Sequence, residues 1–187
     1  MKFILRLLFY GLGWKLKGGV DPAIRKGIFA VAPHAYNSDF FIGLGTRAAL
    51  GRKIAYLGKA ELFRPPFGFI FRALGGIPVY RSAKNNLVES SVEAIGKVED
   101  ALIALAPEGT RKNVPRLKSG FYFIAYGAGI PVIMVAFDRE RKEVSIAEPF
   151  FPTGHFQQDM QTYFVPFFEQ VGGQQKEWVQ NYKNGIF

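Results

Sequence analysis

Short apolar runs alternate along this chain with segments in which apolar residues recur at helical spacing. The apolar runs are typical of buried strands, which are predicted at 27–32, 53–57, 76–80, 101–106, 131–137 and 144–147. Helices are predicted from Asn37 or Ser38 to Leu50, in part of 59–74, at 85–99 and 120–128, and in the tail at 157–180. This alternation predicts an α/β fold: a single domain whose mixed, mostly parallel sheet has helices on both faces.

The first residues predict an amphipathic helix, so that residues 1–20 form a membrane-associating segment and residues 21–187 the main domain. At helical spacing one side is apolar and carries Phe3, Ile4, Leu7, Leu8 and Trp14, while Lys2, Arg6 and Lys17 cluster on another. Leu5 and Phe9 fall off the apolar side. The longest uncharged stretch, 7–14, is too short to span a bilayer. Two interpretations stay open: the helix lies in a membrane interface, or it packs on the domain; one helix can do both.

Composition excludes several kinds of chemistry. The chain has no cysteine, so disulfides, thiolate metal sites and a cysteine nucleophile are ruled out. It has two histidines far apart and no metal-ligand spacing, so we predict no metal site. No Walker loop occurs, and we predict no resident cofactor.

Charge is uneven: residues 1–120 carry 19 Lys and Arg against 8 Asp and Glu, and residues 121–187 carry 5 against 7. The excess predicts an anionic partner, either nucleic acid, anionic lipid or a phosphorylated substrate. Charge alone leaves open a soluble basic protein with no such partner. Because no nucleic-acid-binding signature accompanies the charge, we predict no nucleic-acid partner.

The first motif with candidate chemistry reads Pro-His-Ala-Tyr-Asn-Ser-Asp and follows the strand predicted at 27–32. On a straight helix His34 and Asp39 would lie about 140° apart. The prediction therefore places His34 in a loop, with Asn37 or Ser38 capping the helix that follows. Asp39 then holds one imidazole nitrogen and leaves the other free to accept a proton. The alternative is that Asp39 only favours the positive helix N-terminus and that His34 is an ordinary loop residue.

The second motif is Glu-Gly-Thr-Arg at 108–111, directly after the strand predicted at 101–106. Gly109 permits a tight turn, and Arg111 can grip a phosphate through two hydrogen bonds. Arg81, at the end of the strand predicted at 76–80, could form a second part of the same site. The alternative is a solvated basic loop. Ligand sites of such sheets lie beyond the carboxyl ends of the strands, so both motifs fall where a site is expected.

Taken together and in order, these motifs resemble the 1-acylglycerol-3-phosphate acyltransferase (PlsC-like) family of glycerolipid acyltransferases. The matching blocks are His34 with Asp39, the strand 75–81 ending in Arg81, Glu108 to Arg111, and the Pro-bearing strand at 129–133. The resemblance covers roughly 32–135. It departs from the family at Pro33 and Tyr36, where the family often has Asn and Ser.

The resemblance implies transfer of a fatty acyl group from acyl-CoA or acyl-carrier protein to the hydroxyl of a lysophospholipid such as 1-acylglycerol-3-phosphate, with no covalent acyl-enzyme. His34 would be the general base and Asp39 its orienting residue. The residues that would bind the phosphate of the acceptor are Arg81, Glu108, Gly109, Thr110 and Arg111.

The same resemblance, with the basic N-terminal segment, predicts peripheral or monotopic attachment to an anionic membrane surface on its cytoplasmic side. Two alternatives remain at this stage. The acceptor could be a different lyso-lipid, for example a lyso-aminolipid, or the protein could be a non-catalytic module that binds anionic lipid.

Overall fold

Strands and helices alternate along the chain much as the apolar pattern predicts. The computed structural model describes residues 2–79, 87–171 and 177–187. The strands are β1 (Lys15–Lys17), β2 (Lys26–Val31), β3 (Ala55–Lys59), β4 (Gly76–Val79), β5 (Ala101–Leu105), β6 (Val132–Asp138) and β7 (Glu143–Ile146). The α-helices are α1 (Lys2–Gly11), α2 (Asp39–Leu50), α3 (Gly68–Ala73), α4 (Leu87–Gly96), α5 (Gly120–Ala128), α6 (Phe156–Asp159), α7 (Val165–Glu169) and α8 (Glu177–Lys183). A 3-10 helix (Ala60–Phe63) precedes α3, and a π-helix (Met160–Phe164) joins α6 to α7.

One sheet contains all seven strands of the described residues, in the order β1-β7-β6-β2-β5-β3-β4. Strand β2 lies at its centre, parallel to β5 on one side and to β6 on the other. Only the β6–β7 pair is antiparallel. The predicted fold class, a mixed and mostly parallel sheet in one α/β domain, is therefore confirmed. Because β5, β2 and β6 run in the same direction, the loops that follow them all lie at the carboxyl ends of the strands, on the same side of the sheet.

Side chains of the central strands alternate between two apolar layers. In β6, Val132, Met134 and Ala136 belong to one layer and Ile133, Val135 and Phe137 to the other. Helices α4, α5 and α8 cover the first layer, and α1 and α2 cover the second. Since both faces are buried, the strand is apolar from Val132 to Phe137 instead of alternating with polar residues.

Helix α1 is shorter than the predicted segment. It packs on the domain through Phe9, which lies off the predicted apolar side. Phe9 is 3% exposed and lies against α2, where a Cβ on Gly45 would come within 2.7 Å of the Phe9 ring. The absence of a side chain at Gly45 thus lets the two helices approach closely. Phe3, Ile4, Leu7 and Leu8, placed on the apolar side by the sequence, are all more than half exposed.

Trp14 does not extend that apolar side, which corrects the sequence prediction. The helix ends at Gly11, and the chain then turns so that Trp14 packs on Phe9 with ring centroids 6.2 Å apart. Residues Lys15–Lys17 form β1, a strand absent from the prediction, which pairs with β7 at the sheet edge. The segment 1–20 therefore contains a helix and part of the sheet. None of the described helices is long and apolar enough to cross a membrane.

Candidate active site

Three loops meet at the carboxyl edge of the three central strands. The loop after β2 carries His34 and leads into α2, the loop after β5 carries Glu108, and the turn after β6 carries Arg139. The Glu108 carboxylate accepts the backbone N–H of His34, and Arg139 donates to the Asp39 carboxylate at the end of the His34 loop. Both motifs lie beyond the carboxyl ends of strands, where the sequence places them, and the structure in addition brings them into contact.

His34 and Asp39 form a hydrogen-bonded pair. Nδ1 of His34 lies 3.2 Å from Oδ2 of Asp39, whose side chain is almost completely buried. The His34 ring is 24% exposed, and its Nε2 forms no hydrogen bond with any residue in the described ranges. One nitrogen is thus held and the other is left without a partner among the described residues, which is the arrangement that a general base requires.

Backbone N–H groups hold the Asp39 carboxylate in place. Ala35 and Tyr36 donate their N–H groups to Oδ2 at 3.0 and 2.9 Å, which curls the loop around the carboxylate. Arg139 donates to Oδ1 through Nη2. Burial on its own raises the pKa of Asp39, but the hydrogen bonds from His34, Tyr36 and Arg139 outweigh it and bring the pKa below its ordinary value. Asp39 is therefore ionised at neutral pH.

Ser38 does not cap α2 through its side chain, contrary to the sequence prediction. Its backbone carbonyl accepts the N–H groups of Phe41 and Ile42, but its hydroxyl makes no capping bond. The hydroxyl oxygen instead accepts a hydrogen bond from Arg139 at 2.8 Å. The arginine takes the hydroxyl that would otherwise turn toward the helix N–H groups.

Glu108 lies inside the protein, behind His34. Its Oε2 accepts the backbone N–H of His34 at 2.7 Å, and its Oε1 accepts the indole N–H of Trp178 at 3.3 Å. Burial raises the pKa of Glu108, and the two hydrogen bonds lower it by less. These contacts support the loop of His34, which differs from the direct phosphate contact predicted for Glu108 from the sequence.

The rest of the Glu-Gly-Thr-Arg motif faces outward. Gly109 has a φ of 65°, and a Cβ there would come within 2.8 Å of the Lys118 side chain. Thr110 and Arg111 are exposed, and the Arg111 guanidinium forms no hydrogen bond or ion pair with a residue in the described ranges. This free guanidinium can meet an anion in the way the sequence predicts. Arg81, the other predicted phosphate ligand, lies outside the described residues.

Helix α8 fastens the loop that carries this motif. Apart from Trp178, three of its residues bind the loop: Glu177 accepts from and donates to Asn113, Asn181 donates to the Pro115 carbonyl, and the Tyr182 hydroxyl accepts the Leu117 N–H. The contacts join residues more than sixty positions apart in the chain. The C-terminal helix therefore sets the position of the candidate phosphate loop.

Sequence reasoning missed Arg139 and Trp178. Arg139 stands in a charged turn, Arg-Glu-Arg-Lys at 139–142, which looks like an ordinary solvated loop. Trp178 falls in the aromatic tail and belongs to no motif. The one available signal for Arg139 is its place directly after a buried parallel strand, where site residues tend to lie.

Comparison with known proteins identifies a family and a similar fold. The family described as Acyltransferase matches residues 19–138 of the chain. Among solved structures, the 1-acyl-sn-glycerophosphate (LPA) acyltransferase PlsC from Thermotoga maritima is similar in fold, with a TM-score of 0.59 and 17% sequence identity over 90% of this chain and 75% of that one. No match was found among curated protein sequences.

The lowered pKa of Asp39 predicts how its replacement changes stability with pH. Above the ordinary value of 3.8 the ionised carboxylate stabilises the fold, and this contribution is lost as the pH falls through the lower value of the folded protein. We expect Asp39→Asn to lower the free energy of unfolding by about 2–4 kcal/mol at pH 7. The difference from wild type should shrink below about pH 4; urea unfolding at pH 7, 5 and 3 measures it.

Asp100→Asn is the control for this measurement. Asp100 also pairs with an arginine, Arg25, but both side chains are more than half exposed, so solvent screens the pair and the loss should be small. A difference between Asp39→Asn and wild type that stays constant down to pH 3 would show that the charge of Asp39 does not stabilise the fold.

Proposed function

Because the chain belongs to the Acyltransferase family, we propose that it transfers a fatty acyl group from acyl-CoA or acyl-carrier protein to the hydroxyl of a lysophospholipid such as 1-acylglycerol-3-phosphate. The observation that carries this proposal is the His34–Asp39 pair, in which Nδ1 lies 3.2 Å from the carboxylate and the ring is partly exposed. The family match gives the reaction class, and the exposed arginine three residues after Glu108 supports a phosphate-bearing acceptor.

In the proposed reaction Nε2 of His34 takes the proton of the acceptor hydroxyl as its oxygen attacks the thioester carbonyl. The tetrahedral intermediate then collapses, the carbon–sulfur bond breaks, and the imidazolium returns the proton to the leaving thiolate. Asp39 stabilises the imidazolium between these steps. Since a thioester is already activated, a correctly placed hydroxyl attacks it directly and no covalent acyl-enzyme is needed.

The proposed acceptor site lies on the loop 108–118, which carries Arg111, Lys112, Arg116 and Lys118, all exposed. Arg111 offers two parallel N–H groups to a phosphate, and the nearby lysines add positive charge without fixed geometry. A different lyso-lipid, such as a lyso-aminolipid, would use the same base but would not need this guanidinium. The choice of acceptor therefore rests on Arg111.

We also propose that α1 attaches the protein to an anionic membrane surface, peripherally or monotopically, on the cytoplasmic side. Phe9 holds the helix on the domain, while Phe3, Ile4, Leu7 and Leu8 remain 54–72% exposed. An apolar helix surface of this kind enters the boundary between headgroups and acyl chains, and nearby basic residues are attracted to anionic lipids. Acyl donors carried by CoA or carrier protein would then approach from the aqueous side.

His34→Ala should lower turnover by about 10²–10⁴-fold, because the acceptor hydroxyl then loses its general base. Thiol release from an acyl-thioester, measured with a panel of lysophospholipids, gives the rate. His155→Gln is the matched control, since His155 is exposed and lies outside the site, and it should keep wild-type turnover. A wild-type protein that binds liposomes but releases no thiol above background would be a lipid-binding module and not this enzyme.

Arg111→Ala should lower kcat/KM for a phosphate-bearing acceptor by about 1.5–3 kcal/mol, the cost of one lost charge-assisted hydrogen bond. Arg111→Lys should recover only part of this loss, because the ammonium lacks the planar fork. The matched comparison is monoacylglycerol, which has the same hydroxyls and no phosphate. If Arg111→Ala were as active as wild type on both acceptors, the acceptor phosphate would bind elsewhere.

Replacing two exposed residues of α1, Phe3→Ser with Leu7→Ser, should weaken binding to anionic vesicles by about tenfold or more, because apolar surface buried in the interface is lost. Sedimentation with vesicles containing phosphatidylglycerol measures this, and raising the salt should weaken wild-type binding as well. The control is Ile186→Ser, which removes an equally exposed apolar side chain from the opposite end of the chain. Equal binding of the α1 variant and wild type would place the membrane surface elsewhere.

A further inference from the structure

Arg139 is the one described residue outside the loop 34–39 that contacts the Asp39 carboxylate. The other donors, the His34 ring and two N–H groups, belong to the same loop and gather on Oδ2. Oδ1 is taken by Arg139 alone, from a position one hundred residues further along the chain. The loop folds Asp39 toward His34, and Arg139 ties this folded loop to the sheet.

The Arg139 side chain is itself held in place. Its guanidinium lies 4.2 Å from the centroid of the Tyr36 ring and donates to the Ser38 hydroxyl. Its Nε is buried without a hydrogen-bond partner among the described residues. A buried donor left unpaired has a cost, and the stacking on Tyr36 with the bonds to Ser38 and Asp39 keeps the guanidinium there.

We propose that Arg139 is a positioning residue of the site: it fixes Asp39 in the orientation that meets His34, and by sharing the negative charge of Asp39 it limits the proton affinity of His34. The charged side chains that contact His34 or Asp39 in the described ranges are Glu108 and Arg139. Glu108 and Asp39 both favour a protonated ring, and Arg139 opposes them with the one positive charge. This inference rests on the proposed function only where turnover is measured.

Two measurements on Arg139→Gln test the proposal, and the first does not depend on enzyme activity. In untagged protein carrying His155→Gln, His34 gives the single histidine signal in ¹H–¹³C spectra. Removing the positive charge should move the midpoint of its titration upward by about 0.5–1 pH unit. Arg139→Lys keeps the charge and should stay near the wild-type midpoint. Arg141→Gln is the matched control, because Arg141 is 71% exposed and pairs with Asp138 at the same turn; it should leave the midpoint unchanged.

The second measurement is turnover. Arg139→Gln should lower kcat by about 10–100-fold, because a small misplacement of the groups that hold the base is enough for a loss of this size, with little change in KM for donor or acceptor. Its rate should also fall earlier on acidification than that of wild type. Arg139→Lys should regain the pH profile but not the full kcat, because the ammonium cannot serve Asp39 and Ser38 with a planar fork.

Two checks distinguish a variant that does not fold from a folded variant that contradicts the proposal. Circular dichroism checks each variant, and Tyr36→Leu, which removes only the stacking partner, should shift the His34 midpoint in the same direction if Arg139→Gln does not fold. A folded Arg139→Gln protein with the wild-type midpoint and kcat would overturn the proposal. A wild-type protein without thiol release would instead overturn the proposed function, and the titration would still decide the role of Arg139.

Discussion

The charge of a buried carboxylate must be stabilised by hydrogen-bond donors, and the donors that surround Asp39 organise the whole site. Removing a carboxylate from water is costly unless its oxygens are hydrogen-bonded. Asp39 meets this requirement with donors from its own loop and with Arg139 from the turn after β6. The loop curls, His34 is brought to 3.2 Å, and the turn after β6 is drawn onto the loop after β2. One physical requirement thus joins elements far apart in the sequence.

Asp39 and Glu108, both buried carboxylates at the candidate site, differ in what surrounds them. Asp39 faces a guanidinium, an imidazole and backbone N–H groups, which together lower its pKa in spite of burial. Glu108 has only neutral donors, one amide and one indole, and burial therefore raises its pKa. The first group can stabilise a positive charge on His34 while the second holds the backbone beside it. The groups that surround each carboxylate therefore determine its role.

The sequence predicts the parts of this protein that are encoded locally. Apolar runs such as 131–137 identify β6, and the run at 76–80 identifies β4. The contact between His34 and Asp39 is encoded locally, because Asp39 follows His34 by five residues and stands at the start of a helix. Arg139 could not be found in this way, because its function depends on β6 lying beside β2, a pairing that local patterns do not specify. The packing of Phe9 escaped the helical wheel for a related reason: Gly45, on another helix, decides which side of α1 is buried.

The docking of α1 on α2 has a geometric consequence for a protein that rests on a bilayer. Phe9 meets α2 at Gly45, and the same helix begins at Asp39, six residues or about 9 Å away along its axis. Helix α2 therefore connects the docking point of α1 directly to the Asp39 carboxylate. In the proposed membrane-bound state, the base would stand at a fixed height above the acyl chains. Acceptors would then be sorted by how deep in the headgroup layer their hydroxyl lies, in addition to how well their phosphate binds.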